Sequence, residues 1–179
     1  MLGQHKRDFQ LVPYQNEWED LFQLEADRIR TALREKALLI EHVGSTSIPG
    51  MAAKPILDMM VAVEKLTLSS ALILPLELLG YRYFTVDTVP DRMFFAREVR
   101  PEIRTHHLHM TQQGSAFWED HLLFRDFLRE HDQLAAEYVQ LKKDFAAYYA
   151  RTHHLDRTWK SAFVARVLEM AKSNDLAVC

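Results

Sequence analysis

One stretch of the sequence constrains the fold more than any other: residues 55–63 are almost entirely apolar, and Asp58 is the single charge within them. A run of this length that contains isoleucine and valine is typical of a strand buried at the centre of a sheet. Strand alternation places four side chains on one face, those of Ile56, Asp58, Met60 and Ala62. Because a buried, unpaired carboxylate costs roughly several kcal/mol, Asp58 requires a cation, a metal ion or hydrogen-bond donors as partners.

The rest of the apolar pattern predicts an α/β (α+β) fold, a mixed β-sheet with flanking helices and a helical C-terminal third. Helices are predicted at residues 17–37, 67–79, 115–130, 132–151 and 158–172, and further strands at 38–43, 81–86, 93–99 and 104–111. Ser115 and Asp132 suit helix N-caps, and Gly80 suits the turn that ends the second helix. No repeat or long linker divides the chain, so residues 1–179 are predicted to form a single domain.

Charge and composition argue against several classes of protein. The net charge is −3 and the sequence pI is about 6.3, which disfavours a broad basic face for extended nucleic acid. Cys179 is the sole cysteine, which excludes an intramolecular disulfide and a cysteine-rich zinc site. The first residues are polar, and the longest apolar stretch, residues 71–79, is far shorter than the ~20 residues of a membrane span. We therefore expect a cytoplasmic protein without a membrane segment.

A loop rich in small and hydroxyl residues, 44–50, follows the strand predicted at 38–43. Its backbone N–H groups and hydroxyls can bind an oxyanion, which makes candidates of Gly44, Ser45, Thr46 and Ser47. Lys54 adds a positive charge close to the same loop. The alternative interpretation is an ordinary turn, with Asp58 paired to an arginine or capping a neighbouring loop.

The strand predicted at 104–111 carries three histidines, and alternation places His107 and His109 on one face. Their Cα atoms would lie ~6.5–7 Å apart, so both rings could reach one ligand. Together with Asp58 they would form a set of two histidines and one carboxylate, which suits Mn, Fe or Zn better than Mg. The alternative is that the two histidines hydrogen-bond to neighbouring loops or face solvent. Of the functional roles, a polar, anion-directed one is favoured over metal ligation.

Three further cations are candidates for binding phosphate: Arg92, Arg125 and Lys160. An arginine matches phosphate geometry with two parallel hydrogen bonds, and a lysine binds it as a point charge. The alternative for each is an ordinary solvated charge. On the last helix, Trp159, Phe163 and Val167 recur at helical spacing and are interpreted as core packing.

The segment Gly-Ser-Thr-Ser-Ile-Pro-Gly-Met-Ala-Ala-Lys-Pro-Ile-Leu-Asp, residues 44–58, resembles the characteristic motif of the GrpB family. The resemblance continues in the Arg-Thr-His-His-Leu-His strand at 104–109 and in the Phe-Arg-Asp-Phe-Leu-Arg segment at 124–129. It also includes Glu137-Tyr138, Leu141-Lys142, and Lys160 with Phe163. In all, it covers residues 13–168.

The GrpB family is grouped by fold with nucleotidyltransferases of the DNA polymerase beta type. In that superfamily a Gly-Ser loop grips a triphosphate, and carboxylates spaced Asp-x-Asp/Glu hold two divalent ions. The resemblance therefore implies that Gly44 and Ser45 hold phosphate and that Asp58 is catalytic and binds Mg²⁺ or Mn²⁺. However, Met60 stands where the second carboxylate is expected, and a thioether cannot replace it as a ligand for Mg²⁺.

Two functions follow from the resemblance. The first is metal-dependent nucleotidyl transfer to a small-molecule acceptor. The alternative is a non-catalytic module that binds a nucleotide or a coenzyme A-like ligand, and the methionine at position 60 favours it. The family also occurs fused to dephospho-coenzyme A kinase, which implies a link to that enzyme as a partner.

Overall fold

The computed structural model describes residues 2–85, 89–154, 156 and 158–177, with side chains described up to residue 173. In chain order the elements are β1 (Gln4–His5), α1 (Glu17–Leu33), β2 (Leu39–Val43), β3 (Leu57–Val63), α2 (Ser70–Leu78), β4 (Tyr81–Tyr83), β5 (Arg92–Arg100), β6 (Ile103–Gln112), α3 (Ala116–Glu130), α4 (Asp132–Thr152) and α5 (Ser161–Ala177). Short 3₁₀ turns follow α1 and β2, at Arg34–Lys36 and Ser45–Ser47. The predicted fold class, a mixed sheet with flanking helices and a helical C-terminal third, is confirmed.

The six strands form one sheet in the order β2-β3-β6-β5-β4, with β1 paired to one end of β6. The pair β3 and β6 is parallel, and the other pairs are antiparallel. The apolar run thus lies between two neighbours, as a central strand should. The parallel register sets Asp58 opposite His107.

The two faces of the sheet are covered by different helices. Leu57, Met59 and Val61 face α1 and α2 and belong to the larger core cluster. Met60 and Ala62 face the opposite way and pack with Trp118 of α3. The predicted alternation along β3 is therefore confirmed, and Asp58 lies on the face that α3 only partly covers.

A third cluster joins the C-terminal helices to the loop that follows β2. Phe127 of α3, Tyr138 of α4 and Phe163 of α5 pack there with Ile48 and Met51 of the loop. This packing confirms the predicted core role of Phe163 and Val167, while Trp159 is only partly buried. The loop is therefore fixed between the sheet and the C-terminal helices. None of the described helices is both long enough and apolar enough to cross a membrane.

Several predicted boundaries are wrong by a few residues. The first helix ends at Leu33 because Arg34 adopts a left-handed φ of 54°. Ser115 is confirmed as an N-cap, since its Oγ accepts a hydrogen bond from the backbone N–H of Trp118 at 3.3 Å. Asp132 is not an N-cap, because His131 alone separates α3 from α4 and takes that position.

Other differences concern short or irregular segments. The two-residue strand β1 was not predicted, since it is too short to show alternation. The strand predicted at 81–86 ends at Tyr83, and its last residue, Val86, lies outside the described residues. Gly80 follows α2 with a φ of 90°, as predicted for the glycine that ends a helix.

Candidate anion-binding cleft

A cleft of about 300 Å³ opens where the loop after β2, the start of β3, α4 and the segment before α5 meet. Its lining combines three kinds of side chain: the lysines Lys54, Lys142 and Lys160, the polar groups of Ser45, Thr46, Asp58, His107 and Asp156, and an aromatic wall of Phe9, Tyr138 and Trp159. The volume is at the lower end of that found for small-molecule sites. The cleft therefore brings Ser45, Thr46, Lys54, Asp58, His107 and Lys160 of the predicted site together.

Asp58 and His107 form a hydrogen-bonded pair at the cleft floor. The His107 Nδ1–H group donates to Asp58 Oδ1 at 2.9 Å, across the parallel β3–β6 register. Burial disfavours the charged carboxylate, but the hydrogen bond from His107 and the nearby imidazoles and Lys160 outweigh it, so the pKa of Asp58 lies below its usual value. Asp58 therefore lines the cleft as an ionised carboxylate, and His107 is the hydrogen-bond partner that a buried carboxylate requires.

Gly44 touches the same carboxylate. Its φ is 69°, a left-handed conformation, and an added Cβ would lie 2.6 Å from Asp58 Oδ2. Among the described residues, Asp58 Oδ2 receives no hydrogen bond. The absence of a side chain at Gly44 thus lets the turn approach the one carboxylate oxygen that remains available to a ligand.

The hydroxyl residues of the loop divide into two roles. Ser47 is buried, and its Oγ donates to Gly44 O at 2.7 Å. Thr46 is also buried, and its Oγ1 is hydrogen-bonded to His42 Nε2 at 3.0 Å. Ser45 is half-buried and lines the cleft without a side-chain hydrogen bond to any described residue. Of the predicted hydroxyls, Ser45 is therefore the one best placed to donate to an anion.

Sequence reasoning missed His42, a residue of β2 whose ring is hydrogen-bonded to Thr46 of the loop. The ring is buried, stacks on Phe22 at a centroid distance of 4.8 Å, and has Glu19 Oε2 3.4 Å from Nδ1. Burial lowers the pKa of His42, which favours the neutral ring. The only signal in the sequence was a polar residue in the apolar strand that precedes the loop.

Two of the three lysines are partly or fully withdrawn from water. Lys54 Nζ lies 4.1 Å from the centroid of Phe9, and burial lowers its pKa. Lys142 is 4% exposed, and burial together with the charge of Lys160 lowers its pKa to about 7. Lys160 is exposed and forms no ion pair with a described residue. Lys142 was not predicted as a site residue, although it stands one turn after Tyr138 on the apolar face of α4.

His109 and Arg92 form a separate pair beside the cleft. Arg92 Nη1 donates to His109 Nδ1 at 3.1 Å, and its guanidinium lies 5.5 Å from the centroid of Phe117. Burial, aided by the charge of Arg92, lowers the pKa of His109 to about 3 despite the opposing effect of Asp58. Neither residue lines the cleft. The structure thus places them apart from the loop and the lysines with which the sequence grouped them.

The predicted metal set of Asp58, His107 and His109 is not assembled in this arrangement. Within the described part of the chain, no group of three histidine, cysteine or acidic side chains is placed to hold a metal ion. The two-metal site implied by the resemblance does not fit either. Met60 is fully buried against Trp118, and one oxygen of Asp58 is already bonded to His107.

Arg125 lies away from the cleft and is engaged by protein groups. Its Nη1 donates to Glu41 Oε2 at 2.6 Å and to the carbonyl of His42 at 2.9 Å. Its Nε and Nη2 donate to the carboxylate of Asp126 at 2.7 and 3.0 Å. These contacts give Arg125 a structural role, since it anchors α3 to β2, and its phosphate-binding role stays a prediction.

The fold and the cleft define a mixed α/β protein whose glycine-hydroxyl loop, lysines and two carboxylates line one cleft. The chain belongs to the GrpB family, because the sequence model of the GrpB protein matches residues 8–170. A crystal structure of GrpB from Enterococcus faecalis is similar to it, with a TM-score of 0.82, 32% identity, and coverage of 93% of this chain and 99% of that one.

Two further proteins are similar in sequence to this chain. The UPF0157 protein YqkA of Bacillus subtilis is 38% identical over 144 residues, which are 80% of this chain and 41% of YqkA. The chain thus matches less than half the length of that relative. A dephospho-CoA kinase of Mycolicibacterium paratuberculosis is 28% identical over 156 residues, 74% of this chain and 38% of that protein. The similarity to that kinase is therefore partial.

Proposed function

We propose that this chain binds a phosphate-bearing small molecule, of the nucleotide or coenzyme A-like type, in the cleft. The observation that carries the proposal is the convergence of Lys54, Lys142 and Lys160 on one small cavity in a protein whose net charge is −3. A local excess of lysines against an acidic background favours an anionic ligand. The free hydroxyl of Ser45 supports the same conclusion, because it can donate to a phosphate oxygen.

The aromatic wall of the cleft suits the body of such a ligand. Phe9, Tyr138 and Trp159 line it, and Trp159 is held by stacking on Phe145 at a centroid distance of 4.8 Å. Rigid aromatic walls bind planar or apolar groups through their area and stacking. The ligand class is therefore an anion with a ring or an apolar arm, and the partial similarity to a dephospho-CoA kinase favours a coenzyme A-like molecule among the candidates.

Thermal unfolding with adenosine triphosphate and coenzyme A tests this proposal. A ligand at 100 times its dissociation constant should stabilise the wild-type protein by roughly 2.7 kcal/mol. Ser45→Tyr should remove the response without unfolding the protein, because the ring would occupy the cleft beside the half-buried Ser45 position.

Lys143→Met is the matched control, because Lys143 is the exposed neighbour of Lys142 on α4 and does not line the cleft. It should respond to ligand as the wild type does. The proposal fails if neither ligand shifts the wild-type midpoint, or if the response survives in Ser45→Tyr.

Nucleotidyl transfer is the second candidate, and the position of Asp58 Oδ2 beside Gly44 favours it. Asp58, with one oxygen bonded to His107, does not supply a two-metal site by itself, but Mg²⁺ is commonly bound by one or two carboxylates together with the phosphates of the ligand. Asp58 would then be the catalytic, metal-binding residue, with Mg²⁺ or Mn²⁺ shared between the protein and the triphosphate.

Asp58→Asn separates the two candidates. If Asp58 binds a divalent ion, the extra stabilisation that Mg²⁺ or Mn²⁺ adds to bound triphosphate should disappear in this variant, because an amide oxygen carries no charge. Asp20→Asn, at an exposed position of α1, should keep that extra stabilisation. A metal response of equal size in both variants would exclude Asp58 as the ligand and leave simple binding as the function.

A further inference from the structure

Lys142 is a buried cation that lacks an acidic partner among the described residues. Its Nζ donates to the carbonyl of Ala52 at 2.6 Å and lies 4.8 Å from the centroid of Tyr138. Neither contact supplies a negative charge. Since burying an unpaired ammonium is costly, the protonated form of Lys142 is poorly stabilised unless another charge enters the cleft.

The ionisable groups around Lys142 do not supply that charge. Lys160 approaches from the segment before α5 and repels a proton on Lys142, and Lys54, from the segment before β3, adds a further lysine to the cleft. The carboxylates that line the cleft are Asp58, which is bonded to His107, and Asp156, which accepts two hydrogen bonds from Thr158. His107 and Tyr138 are the other ionisable side chains among the described residues that line the cleft. The three lysines therefore outnumber the two carboxylates.

We propose that Lys142 selects the charge of the ligand: the cleft prefers a dianionic phosphate monoester to a monoanion, and binding transfers a proton from solvent to Lys142 Nζ. This inference rests on the proposed function and adds to it the chemical class of the group that is bound. A dianion stabilises the ammonium in its buried position, whereas a single negative charge leaves the three lysines less completely neutralised.

The protonation states of Lys142 and of the phosphate monoester make proton uptake on binding measurable. Burial and Lys160 lower the pKa of Lys142 to about 7, so at pH 8 roughly nine-tenths of the free protein carries a neutral amine there. A phosphate monoester, with a second pKa of about 6, is fully dianionic at pH 8. A proton taken up on binding at this pH can go to Lys142 or to the phosphate, so the uptake is assigned to Lys142 only if it vanishes in Lys142→Met.

Isothermal titration calorimetry at pH 8 tests the inference, with phenyl phosphate and its monomethyl ester as probes. The two share the ring and the phosphorus centre and differ by one charge. In the wild type we expect at least about tenfold tighter binding of phenyl phosphate, and uptake of most of one proton, read from two buffers of different ionisation enthalpy. In Lys142→Met the preference should fall below about threefold and the uptake should vanish, while Lys143→Met should behave as the wild type.

The outcomes distinguish this inference from the function on which it rests. If the wild type binds both probes equally well, charge selection is wrong and anion binding stands. If it binds neither probe, both proposals fail. If the preference survives in Lys142→Met, another group selects the charge and the role given to Lys142 is wrong. Lys142→Gln, which keeps a donor for the carbonyl of Ala52, replaces the methionine variant should that variant not fold.

A second readout needs no ligand. Unfolding should raise the pKa of Lys142 from about 7 towards the ordinary lysine value of 10.5, so between these two pH values the unfolded chain binds more protons. The contribution of Lys142 therefore makes the protein more stable as the pH rises through this window. Urea denaturation at pH 7 and pH 9 should show this rise in the wild type and a smaller one in Lys142→Met, and equal rises would overturn the inference.

Discussion

Gly44→Ala should lower the free energy of unfolding by about 3 kcal/mol. A left-handed backbone costs a residue with a Cβ about 1–2 kcal/mol, and forcing an atom into a packed site adds about 1–3 kcal/mol. Both apply here, since φ is 69° and the new Cβ would lie 2.6 Å from Asp58 Oδ2 and 2.9 Å from Asp58 Cβ. Urea denaturation of the purified variant measures the loss.

Gly50→Ala is the matched control in the same loop. Its φ is 75°, so the backbone cost is similar, but a Cβ there would meet nothing within 4 Å. We expect a loss of only about 1 kcal/mol. Equal losses in the two variants would show that the backbone conformation alone requires glycine at position 44, and that the close approach to Asp58 contributes nothing.

The contact between Gly44 and Asp58 shows which features of the site can be predicted from the sequence and which cannot. The local pattern identified the loop, the central strand and the face on which Asp58 lies, because each depends on residues close together in the chain. It also placed His107 and His109 correctly on one face of β6. Which of the two reaches Asp58 depends on the β3–β6 register, which pairs residues 49 positions apart and leaves no local signal.

The same limit applies to the cations. Arg125 was grouped with Lys160 by charge alone, but its carboxylate partner Glu41 is 84 residues away in the sequence. Lys142 was missed because its contact, the carbonyl of Ala52, is 90 residues away. A lysine on the apolar face of a helix was the available clue, and it indicates burial without saying what the cation faces.

Arg125→Ala should lower the free energy of unfolding by about 3 kcal/mol, the lower end of the range for removing one partner of a buried ion pair. The lower end applies because Glu41 keeps 32% of its side chain exposed and can recover some hydration. The variant also leaves the carbonyl of His42 without the hydrogen bond from Nη1. Arg166→Ala, which breaks an exposed pair with Glu137, should cost far less, because solvent screens that pair.

Ligand binding to the folded Arg125→Ala protein decides between the two roles of this residue. If Arg125 only anchors α3 to β2, the variant should bind phenyl phosphate within about threefold of the wild-type affinity at a temperature where it is fully folded. A direct contact with phosphate would instead cost more than about tenfold, because a charge-assisted hydrogen bond contributes roughly 1.5–3 kcal/mol. Since Arg125 does not line the cleft and its guanidinium already binds Glu41 and Asp126, lost stability with retained binding is the expected combination.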